Sequence, residues 1–309
     1  MISFSKEQSI LKMGDVTIGG QPGEHPTVLF GTVFYGKKYR EPIPEVLDEA
    51  RRFIRAQEEM SRLTGNPGIV DIFIDSTERI EPRISLVLEE VPGPRPISLD
   101  IPETEVRQAA LKYAAEAGLS GRVILNSFNL GATEDELAAL GEHPPGTAVL
   151  LGYNPRDFSA DGRVEMIDTG AGYLEKGLMS YAEEFGIGNI LLDTGATPFD
   201  HNAAETLRAI PVMKNKWGLP TGCAIHNTVE SWLWMKGYRK EHRAEYLTCD
   251  AGSNALPVVM GGDFCVYGPI RNAGSVFPVV AMVDKFVAEG AEDYFGVTSS
   301  EDHPRRKLE

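Results

Sequence analysis

The sequence predicts an α/β fold, specifically a (β/α)8 TIM barrel with a short N-terminal hairpin. Eight short, β-rich apolar runs alternate with longer segments of helical character along the 309 residues. No low-complexity tract or Pro/Gly/Ser-rich linker divides them, which favours one domain. A barrel of this kind takes roughly 250 residues, so the chain has room for the barrel and an N-terminal extension.

The eight runs are nearly continuous in apolar character, which is typical of parallel strands that helices cover. They span residues 27–35, 69–76, 96–101, 122–128, 147–153, 189–195, 222–227 and 263–268. An open doubly wound sheet is the alternative arrangement. No G-x-G-x-x-G motif follows any of the runs, so the closed barrel is preferred.

Helix signals lie between the runs. Between the first two, residues with helical spacing recur at steps of three and four: Val46, Ala50, Phe53, Gln57 and Met60. Pro44 is expected at the start of that helix, and Gly65 just after its end. After the fourth run, Thr133 opens a capping box and Gly141 is expected to end the helix.

Segments 9–13 and 16–18, joined by Gly14 and Asp15, predict a hairpin with a glycine-first two-residue turn. We expect this hairpin to cover the bottom of the barrel. The stretch 232–262 is longer than one strand-to-helix connection needs, which predicts an extra helix or a lid. The expected organisation is a single domain, 1–309, with an extension at 1–26, the barrel at 27–298 and a tail at 299–309.

Composition and charge exclude several classes of protein. Thirty basic against 45 acidic residues give a net charge of −15, which repels phosphate backbones and argues against a nucleic-acid partner. No apolar stretch approaches the roughly 20 residues that cross a bilayer, so direct membrane insertion is not expected. The amino terminus lacks the features of a signal peptide. Three cysteines, an odd number without paired spacing, favour a reducing cytoplasm.

Polar side chains end six of the predicted strands: Asp75, Asp100, Asn126, Asn154, Asp193 and Asn227. The C-terminal rim of a TIM barrel carries its active site, so these carboxylates and amides predict a binding site. Each residue alone is also a common helix N-cap or turn former. That alternative is strongest for Asp75 and Asn154, which are included from their rim positions alone.

No metal site is expected at this rim, because no His, Asp or Glu cluster has metal-ligand spacing. A zinc site built from Cys223, His226 and His201 is the alternative, but no fourth ligand accompanies them. Cys223 and Cys265 are instead expected to be buried barrel residues. No phosphate-cradling loop is found, and no lysine ends a strand where it could form a Schiff base.

Carboxylates and amides without cations suit a flat heterocycle that presents several N–H donors and a few acceptors. A pterin has its N3–H and 2-amino group side by side, and a carboxylate accepts that pair in a two-pronged, charge-assisted way. Amide side chains both donate and accept, so they serve the remaining ring atoms. A substrate with an amidine or guanidine group fits these residues equally well.

Six segments of the chain are similar to one protein family. They are F-S-K-E-Q-S-I (4–10), I-G-G-Q-P-G-E-H-P-T-V-L-F-G-T-V-F-Y (18–35), F-I-D-S-T (73–77), I-L-N-S (124–127), L-L-D-T-G (191–195) and G-C-A-I-H-N (222–227). Over essentially its whole length, the chain resembles the family of the H subunit of tetrahydromethanopterin S-methyltransferase. It also looks like soluble bacterial relatives that transfer methyl groups between corrinoid proteins and tetrahydrofolate, as in glycine betaine demethylation.

The resemblance implies a homodimeric TIM barrel that binds a reduced pterin in its C-terminal mouth and meets a separate methyl-corrinoid protein there. It implies that Asp100, Asn126 and Asp193 bind the pterin, with Asp193 on the 2-amino and N3–H edge. Asn227 is implied to approach N5 and to be the catalytic residue. Residues 226 and 227 are His-Asn in this chain, whereas relatives outside that family often have Ser-Asn at these positions. The role of His226 therefore stays open.

The function implied by the resemblance is transfer of a methyl group from methylcobalamin on a corrinoid protein to N5 of tetrahydrofolate, giving 5-methyltetrahydrofolate. The corrinoid belongs to the partner, and the enzyme needs no metal of its own. A condensing enzyme of the dihydropteroate synthase type is one alternative, which would need a basic rim residue for a diphosphate. A non-catalytic subunit that only binds a corrinoid protein is another. The choice between tetrahydrofolate and tetrahydromethanopterin stays open, as does the upstream methyl donor.

Overall fold

A computed structural model describes residues 2–41 and 43–308. Met1 and Glu309, which bound the predicted single domain, lie outside the described residues together with Pro42. The first element is an antiparallel hairpin of β1 (Ile10–Met13) and β2 (Val16–Gly19). Gly14 turns the hairpin with φ 57, a backbone conformation that glycine adopts readily. The predicted hairpin is therefore confirmed.

Eight parallel strands then close into a barrel. They are β3 (Val28–Val33), β4 (Gly68–Phe73), β5 (Ile97–Asp100), β6 (Val123–Phe128), β7 (Thr147–Leu151), β8 (Asn189–Asp193), β9 (Thr221–Cys223) and β10 (Phe264–Pro269). The order around the barrel is β10-β3-β4-β5-β6-β7-β8-β9, and each neighbouring pair is parallel. This topology confirms the predicted (β/α)8 barrel.

Helices form the outer layer. They are α1 (Pro44–Thr64), α2 (Ile80–Glu90), α3 (Thr104–Glu116), α4 (Glu134–Glu142), α5 (Ala160–Thr169), α6 (Leu178–Glu184), α7 (Ala204–Trp217), α8 (Ile225–Ser231), α9 (Leu233–Tyr238), α10 (Arg243–Ser253), α11 (Ala255–Val259), α12 (Ala273–Phe295) and α13 (Pro304–Lys307). In the part of the chain that the structure describes, none of them is long and apolar enough to span a membrane.

The helix ends agree with the sequence signals in two cases and differ in one. Helix α1 begins at Pro44 and is followed by Gly65 with φ 91. The Thr133 side chain caps α4, as predicted. The prediction that Gly141 ends α4 is wrong, because the helix continues to Glu142. His143 leaves the helical conformation instead, since the following proline disfavours a helical backbone before it.

The hairpin covers the bottom of the barrel, as expected. Met13, Val16 and Ile18 pack against inward-facing side chains from the lower halves of the strands, namely Phe30, Ile69, Ile124, Val149, Leu191 and Phe264. All of these side chains are at most 3% exposed. Each buried side chain of this size stabilises the fold by about 1.5–3 kcal/mol, so this layer is a major source of stability.

The two-residue period of the strands separates this apolar layer from a polar one above it. In β4, Ile69 and Asp71 face into the barrel, while Val70 between them packs against the helices. In β6, Asn126 lies one inward position above Ile124. The upper half of the barrel therefore presents polar side chains toward the C-terminal opening.

Two further segments complete the fold. The long connection between β9 and β10 contains α9, α10 and α11, which confirms the extra structure expected between residues 232 and 262. The C-terminal segment, for which the sequence predicts no role, packs against the N-terminal extension. The Ser299 hydroxyl donates to the Gly23 carbonyl at 2.8 Å, and the Ser300 N–H donates to the Glu24 carbonyl at 2.8 Å. His303 is fully buried beside them.

Candidate functional site

A cavity of about 630 Å³ opens at the C-terminal end of the barrel, and we call it the mouth cavity. Four of the six predicted site residues line it: Asp100, Asn126, Asp193 and Asn227. They converge because the carboxyl ends of all parallel strands meet at the same end of a barrel. Aromatic side chains, including Tyr35, Tyr39 and Phe73, complete part of its wall.

The structure does not bring Asp75 and Asn154 into the mouth cavity. Asp75 lies two residues beyond β4, and its carboxylate accepts hydrogen bonds from Arg79 at 2.6 Å and Arg83 at 3.1 Å. Asn154 is buried in the loop after β7, where its side chain donates to the Gly162 carbonyl at 3.0 Å. Both side chains therefore make local loop and ion-pair contacts of the kind that turn-forming Asp and Asn commonly make.

Asp71 is a site residue that the pattern of strand ends does not reveal. It lies inside β4, is 1% exposed, and lines the mouth cavity. Its carboxylate accepts hydrogen bonds from Ser98 Oγ at 2.6 Å, Thr32 Oγ1 at 2.9 Å and Asn126 Nδ2 at 3.1 Å. A carboxylate in the middle of an apolar strand was the available signal, since only a paired or functional charge is stable there.

Asp71 orients the amide of Asn126. Because Nδ2 of Asn126 donates to Asp71, the carbonyl oxygen of Asn126 is left to accept from a ligand. Burial raises the pKa of Asp71, and the hydrogen bonds from Ser98, Asn126 and Thr32 oppose that rise. Burial also raises the pKa of Asp100 well above its ordinary value, and the nearby charge of Asp71 raises it further.

Asp193 is the most deeply placed of the predicted carboxylates, at 5% exposure. Its Oδ1 accepts a hydrogen bond from the Gly195 N–H at 2.7 Å. Burial raises the pKa of Asp193 to about 6, although this hydrogen bond and the charge of Arg163 act in the opposite direction. Arg163 is itself buried and donates to the backbone carbonyls of Thr194 and Gly195. The loop after β8 is therefore held by a buried guanidinium directly behind the carboxylate.

Asn227 lines the mouth cavity, but the prediction that it ends a strand is wrong. Strand β9 stops at Cys223, and Ala224, with φ −93 and ψ 61, leads directly into α8. Asn227 therefore lies in the first turn of a helix, where it is exposed at the opening of the cavity. An exposed amide at this position is accessible to a ligand and to a second molecule that approaches from outside.

His226 also lines the mouth cavity and is held by a buried acid. Its Nδ1 lies 2.5 Å from Asp250 Oδ1, and Asp250 Oδ2 accepts from Asn272 Nδ2 at 3.2 Å. The ring packs on Gly268, where a Cβ atom would collide with it. In the neutral ring with its proton on Nδ1, Nε2 is an acceptor. The sequence could not predict this pair, because Asp250 is 24 residues away in α10.

The sequence predicts a rim without cations, and this expectation is wrong. Arg271, which follows β10, lines the mouth cavity together with Glu230 of α8. Neither residue ends a predicted strand, so the pattern of strand ends could not indicate them.

Two thiols of the barrel strands match their predicted environment. Cys223 and Cys265 are buried and carry free thiols, as expected. Among residues 2–41 and 43–308, no group of three or more His, Cys, Asp or Glu side chains is placed to hold a metal ion. The expected independence from metal stays a prediction.

The mouth cavity is suited to a planar ligand with several N–H donors. Three carboxyl groups with raised pKa values, Asp71, Asp100 and Asp193, face one small volume. Donors on a ligand would stabilise their ionised forms, whereas a protonated Asp100 could itself donate to a ring nitrogen or carbonyl. Such clusters of perturbed acids in a cleft are typical of functional sites.

Comparisons with known proteins agree with this fold. The solved structure of dihydropteroate synthase from Xanthomonas albilineans in complex with 7,8-dihydropteroate has a TM-score of 0.59 and is 16% identical to the chain. The match covers 88% of this chain and 96% of the synthase chain. Identity this low shows a shared barrel fold and nothing finer.

Sequence comparison is more specific. The family model described as "Tetrahydromethanopterin S-methyltransferase MtrH subunit" matches residues 6–298. The H subunit of tetrahydromethanopterin S-methyltransferase from Methanothermobacter thermautotrophicus is 42% identical, over 100% of both chains. Its counterpart from Methanocaldococcus jannaschii is 36% identical, also over 100% of both chains. The chain therefore belongs to the methyltransferase family of the tetrahydromethanopterin S-methyltransferase H subunit.

Proposed function

We propose that the protein transfers a methyl group from a methylated corrinoid, carried by a separate corrinoid protein, to N5 of tetrahydrofolate, giving 5-methyltetrahydrofolate. The observation that carries this proposal is the convergence of Asp100, Asn126, Asp193 and Asn227 on one cavity. Membership of a methyltransferase family supports the reaction class. Because the relatives are named for tetrahydromethanopterin, this pterin is the second methyl acceptor to test.

The pterin ring fits the donors and acceptors of the cavity. One carboxylate oxygen of Asp193 accepts a hydrogen bond from the Gly195 N–H. The carboxylate would also accept hydrogen bonds from the N3–H and the 2-amino group of the pterin. The carbonyl oxygen of Asn126, freed by the bond from its Nδ2 to Asp71, would accept from a ring N–H. Asp100 would donate or accept according to its protonation. Asp75 and Asn154 have no place in this arrangement.

Asn227 is proposed as the catalytic residue. The corrinoid supplies the methyl group and keeps the electron pair of the cobalt–carbon bond that breaks. N5 uses its lone pair to form the new bond to carbon and then releases its proton, so positive charge grows on N5 during the reaction. The Asn227 carbonyl oxygen would accept the N5–H hydrogen bond and stabilise that charge, and the cavity would fix N5 in line with the methyl group.

A row of stacked rings, exposed at Phe199 and Trp234, supports a partner at the same end of the barrel. Phe199, Trp232, Trp234, Tyr238 and His242 stack in sequence, with successive ring centroids 4.4, 4.9, 4.6 and 4.0 Å apart. Trp234 is 56% exposed. Exposed aromatic clusters of this kind mark protein–protein contact sites. We assign this surface to the methyl-corrinoid protein, because Trp232 directly follows α8, the helix whose first turn carries the exposed Asn227.

The remaining parts of the proposal concern assembly and compartment. Leu256 and Val259 of α11 and Met282 and Phe286 of α12 are apolar and 45–59% exposed on two helices that pack together. We propose that this face joins two copies in a homodimer. Phe286→Glu should then convert the dimer to a monomer in light scattering, while a monomeric wild-type protein would contradict the proposal.

Three free thiols agree with a cytoplasmic location.

Two alternatives are separable by experiment. Arg271 at the rim supplies the cation that a dihydropteroate synthase reaction would need for its diphosphate. Full-length identity of 42% with a methyltransferase subunit, against 16% with that synthase, still favours methyl transfer. A non-catalytic subunit would bind a corrinoid protein and form no product.

The deciding experiment follows the visible spectrum of methylcobalamin with the purified protein and tetrahydrofolate. Loss of methylcobalamin with formation of 5-methyltetrahydrofolate is expected, and Asp193→Asn should abolish it at low pterin concentration. A parallel reaction with tetrahydromethanopterin identifies the preferred acceptor. No methyl transfer to either pterin, even from a methylated corrinoid protein, would contradict the proposed function.

A further inference from the structure

A second cavity of about 430 Å³ adjoins the mouth cavity, and we call it the basic groove. Arg239 and Lys240 at the end of α9, Arg243 at the start of α10, and Arg271 after β10 line it. The phenol-bearing Tyr246 and the amide Asn272 complete its polar wall, and Leu247 and Pro269 contribute apolar surface.

The charge of the basic groove is opposite to that of the whole protein. Four cationic side chains line it against one carboxylate, Glu230, in a chain with net charge −15. Glu230 pairs with Arg239 at 3.0 Å. Within the described residues, Lys240, Arg243 and Arg271 have no acidic side chain at ion-pairing distance. Three exposed cations around one groove, without protein counter-charges, favour binding of an anion.

The two cavities share part of their walls. His226, Glu230, Pro269 and Arg271 line both of them. His226 immediately precedes Asn227, the residue assigned to N5 of the pterin. A group attached next to N5 would therefore leave the mouth cavity on the side where the basic groove begins.

Reduced pterin carriers have such a group. Their tail is attached at C6, the ring atom bonded to N5, and it ends in anions: glutamate carboxylates in tetrahydrofolates, and phosphate with carboxylates in tetrahydromethanopterin. We propose that the basic groove binds the anionic tail of the pterin substrate, through Lys240, Arg243 and Arg271. This inference rests on the proposed function, and it extends the site from the ring to the charged end of the substrate.

The test compares ligands with and without the tail. Lys240→Gln and Arg243→Gln are combined in one variant, because both side chains are exposed and line only the basic groove. Binding is measured by calorimetry for 6-methyltetrahydropterin, which has no anionic tail, for tetrahydrofolate, and for its triglutamate form. Lys12→Gln, an exposed cation on the hairpin at the opposite end of the barrel, is the matched control.

The double variant should bind the triglutamate form about 2- to 30-fold more weakly, the scale for losing two exposed charge contacts. It should bind 6-methyltetrahydropterin with unchanged affinity, and Lys12→Gln should change neither. Added salt should weaken triglutamate binding to the wild type more than to the double variant. The same measurement with tetrahydromethanopterin shows whether a phosphate-bearing tail uses the groove more strongly than glutamates.

Two results would overturn this inference while leaving the proposed function intact. One is unchanged triglutamate affinity in the double variant, with wild-type binding of 6-methyltetrahydropterin. The other is a double variant whose only change is a higher KM for the methyl-corrinoid protein, which would make the groove a protein-docking surface. If neither pterin binds the wild-type protein, the proposed function fails and the tail site fails with it.

Discussion

Replacing Asp193 by Asn should make the protein more stable and less able to bind the proposed pterin substrate. Burial raises the pKa of Asp193 from 3.8 to about 6. Between about pH 4 and pH 6 the folded protein keeps a proton that the unfolded chain releases, so this group lowers stability as the pH rises through that window. A difference of about two pH units corresponds to about 3 kcal/mol of lost stability at neutral pH.

An Asn side chain at this position has nearly the same shape and cannot ionise. Its carbonyl oxygen can still accept the Gly195 N–H, which lies 2.7 Å from Oδ1 of Asp193. At pH 7.5 we therefore expect Asp193→Asn to raise the free energy of unfolding by up to about 3 kcal/mol. At pH 4 the gain should disappear, because the wild-type carboxyl is then protonated in the folded state.

Pterin binding should change in the opposite direction. The variant loses a charge-assisted pair with the N3–H and 2-amino group, which costs about 2–4 kcal/mol, or roughly 30- to 900-fold in Kd. The affinity of the wild type should also fall below about pH 6, as Asp193 becomes protonated. In the variant, the part of this fall that Asp193 causes should be absent, because its amide does not titrate.

Chemical denaturation between pH 4 and pH 8 measures the stability, and calorimetry with tetrahydrofolate measures the affinity. Asp284→Asn is a matched control, because burial raises the pKa of Asp284 to about 6 as well. Its carboxylate accepts from the Thr27 N–H, Thr27 Oγ1 and Asn66 and does not line the mouth cavity, so an amide there should leave pterin affinity unchanged. If Asp193→Asn is destabilising at pH 7.5 and binds pterin normally, Asp193 is a structural residue and the reasoning is refuted.

Three further predictions test other parts of the site. Asn227→Ala should lower kcat about 10²- to 10³-fold with a smaller effect on pterin affinity. A raised KM with intact kcat would contradict a catalytic role for Asn227. His226→Ala, at the neighbouring residue, is the control. Gly268→Ala should destabilise the fold by about 1–3 kcal/mol in thermal denaturation, because φ is 82 and the new Cβ would contact His226. Gly274→Ala, which meets open space, should not do so. Elemental analysis should find no stoichiometric zinc, and chelation should leave activity intact; loss of activity with a bound zinc would restore Cys223 as a candidate ligand.

The fold was predictable because it depends on local signals that the sequence repeats. Apolar runs of strand length mark each barrel strand, and residues such as Pro44, Gly65 and Thr133 mark helix ends through backbone preferences that do not depend on distant contacts. Gly141 shows where this reasoning fails. A glycine inside a helix is tolerated, and the proline after His143 determined where α4 stops.

Two residues of the candidate site were predictable because they end strands of the barrel. Asp100 and Asp193 are the last residues of β5 and β8, so their position along the chain indicated their place in the cavity. Asp71 was missed in favour of Asp75, although both fit the same two-residue period along the chain; Asp71 lies inside β4, whereas Asp75 lies two residues beyond its end. The difference lies in hydrogen bonds from Thr32, Ser98 and Asn126, which come from three other strands and are not visible in a local pattern.

The barrel has a lower apolar layer that stabilises the fold and an upper polar layer that forms the candidate binding site. This division explains why the upper layer can hold buried carboxyl groups whose ionised forms are destabilising. Burying Asp71, Asp100 and Asp193 raises their pKa values, which means that each ionised carboxyl lowers the stability of the free protein. The apolar layer beneath them, closed by the hairpin, supplies stability that does not depend on pH or ligand. A ligand rich in N–H donors would remove much of the cost of the ionised carboxyls. The binding free energy of the pterin would then come largely from charges that the fold holds without adequate partners until the ligand arrives.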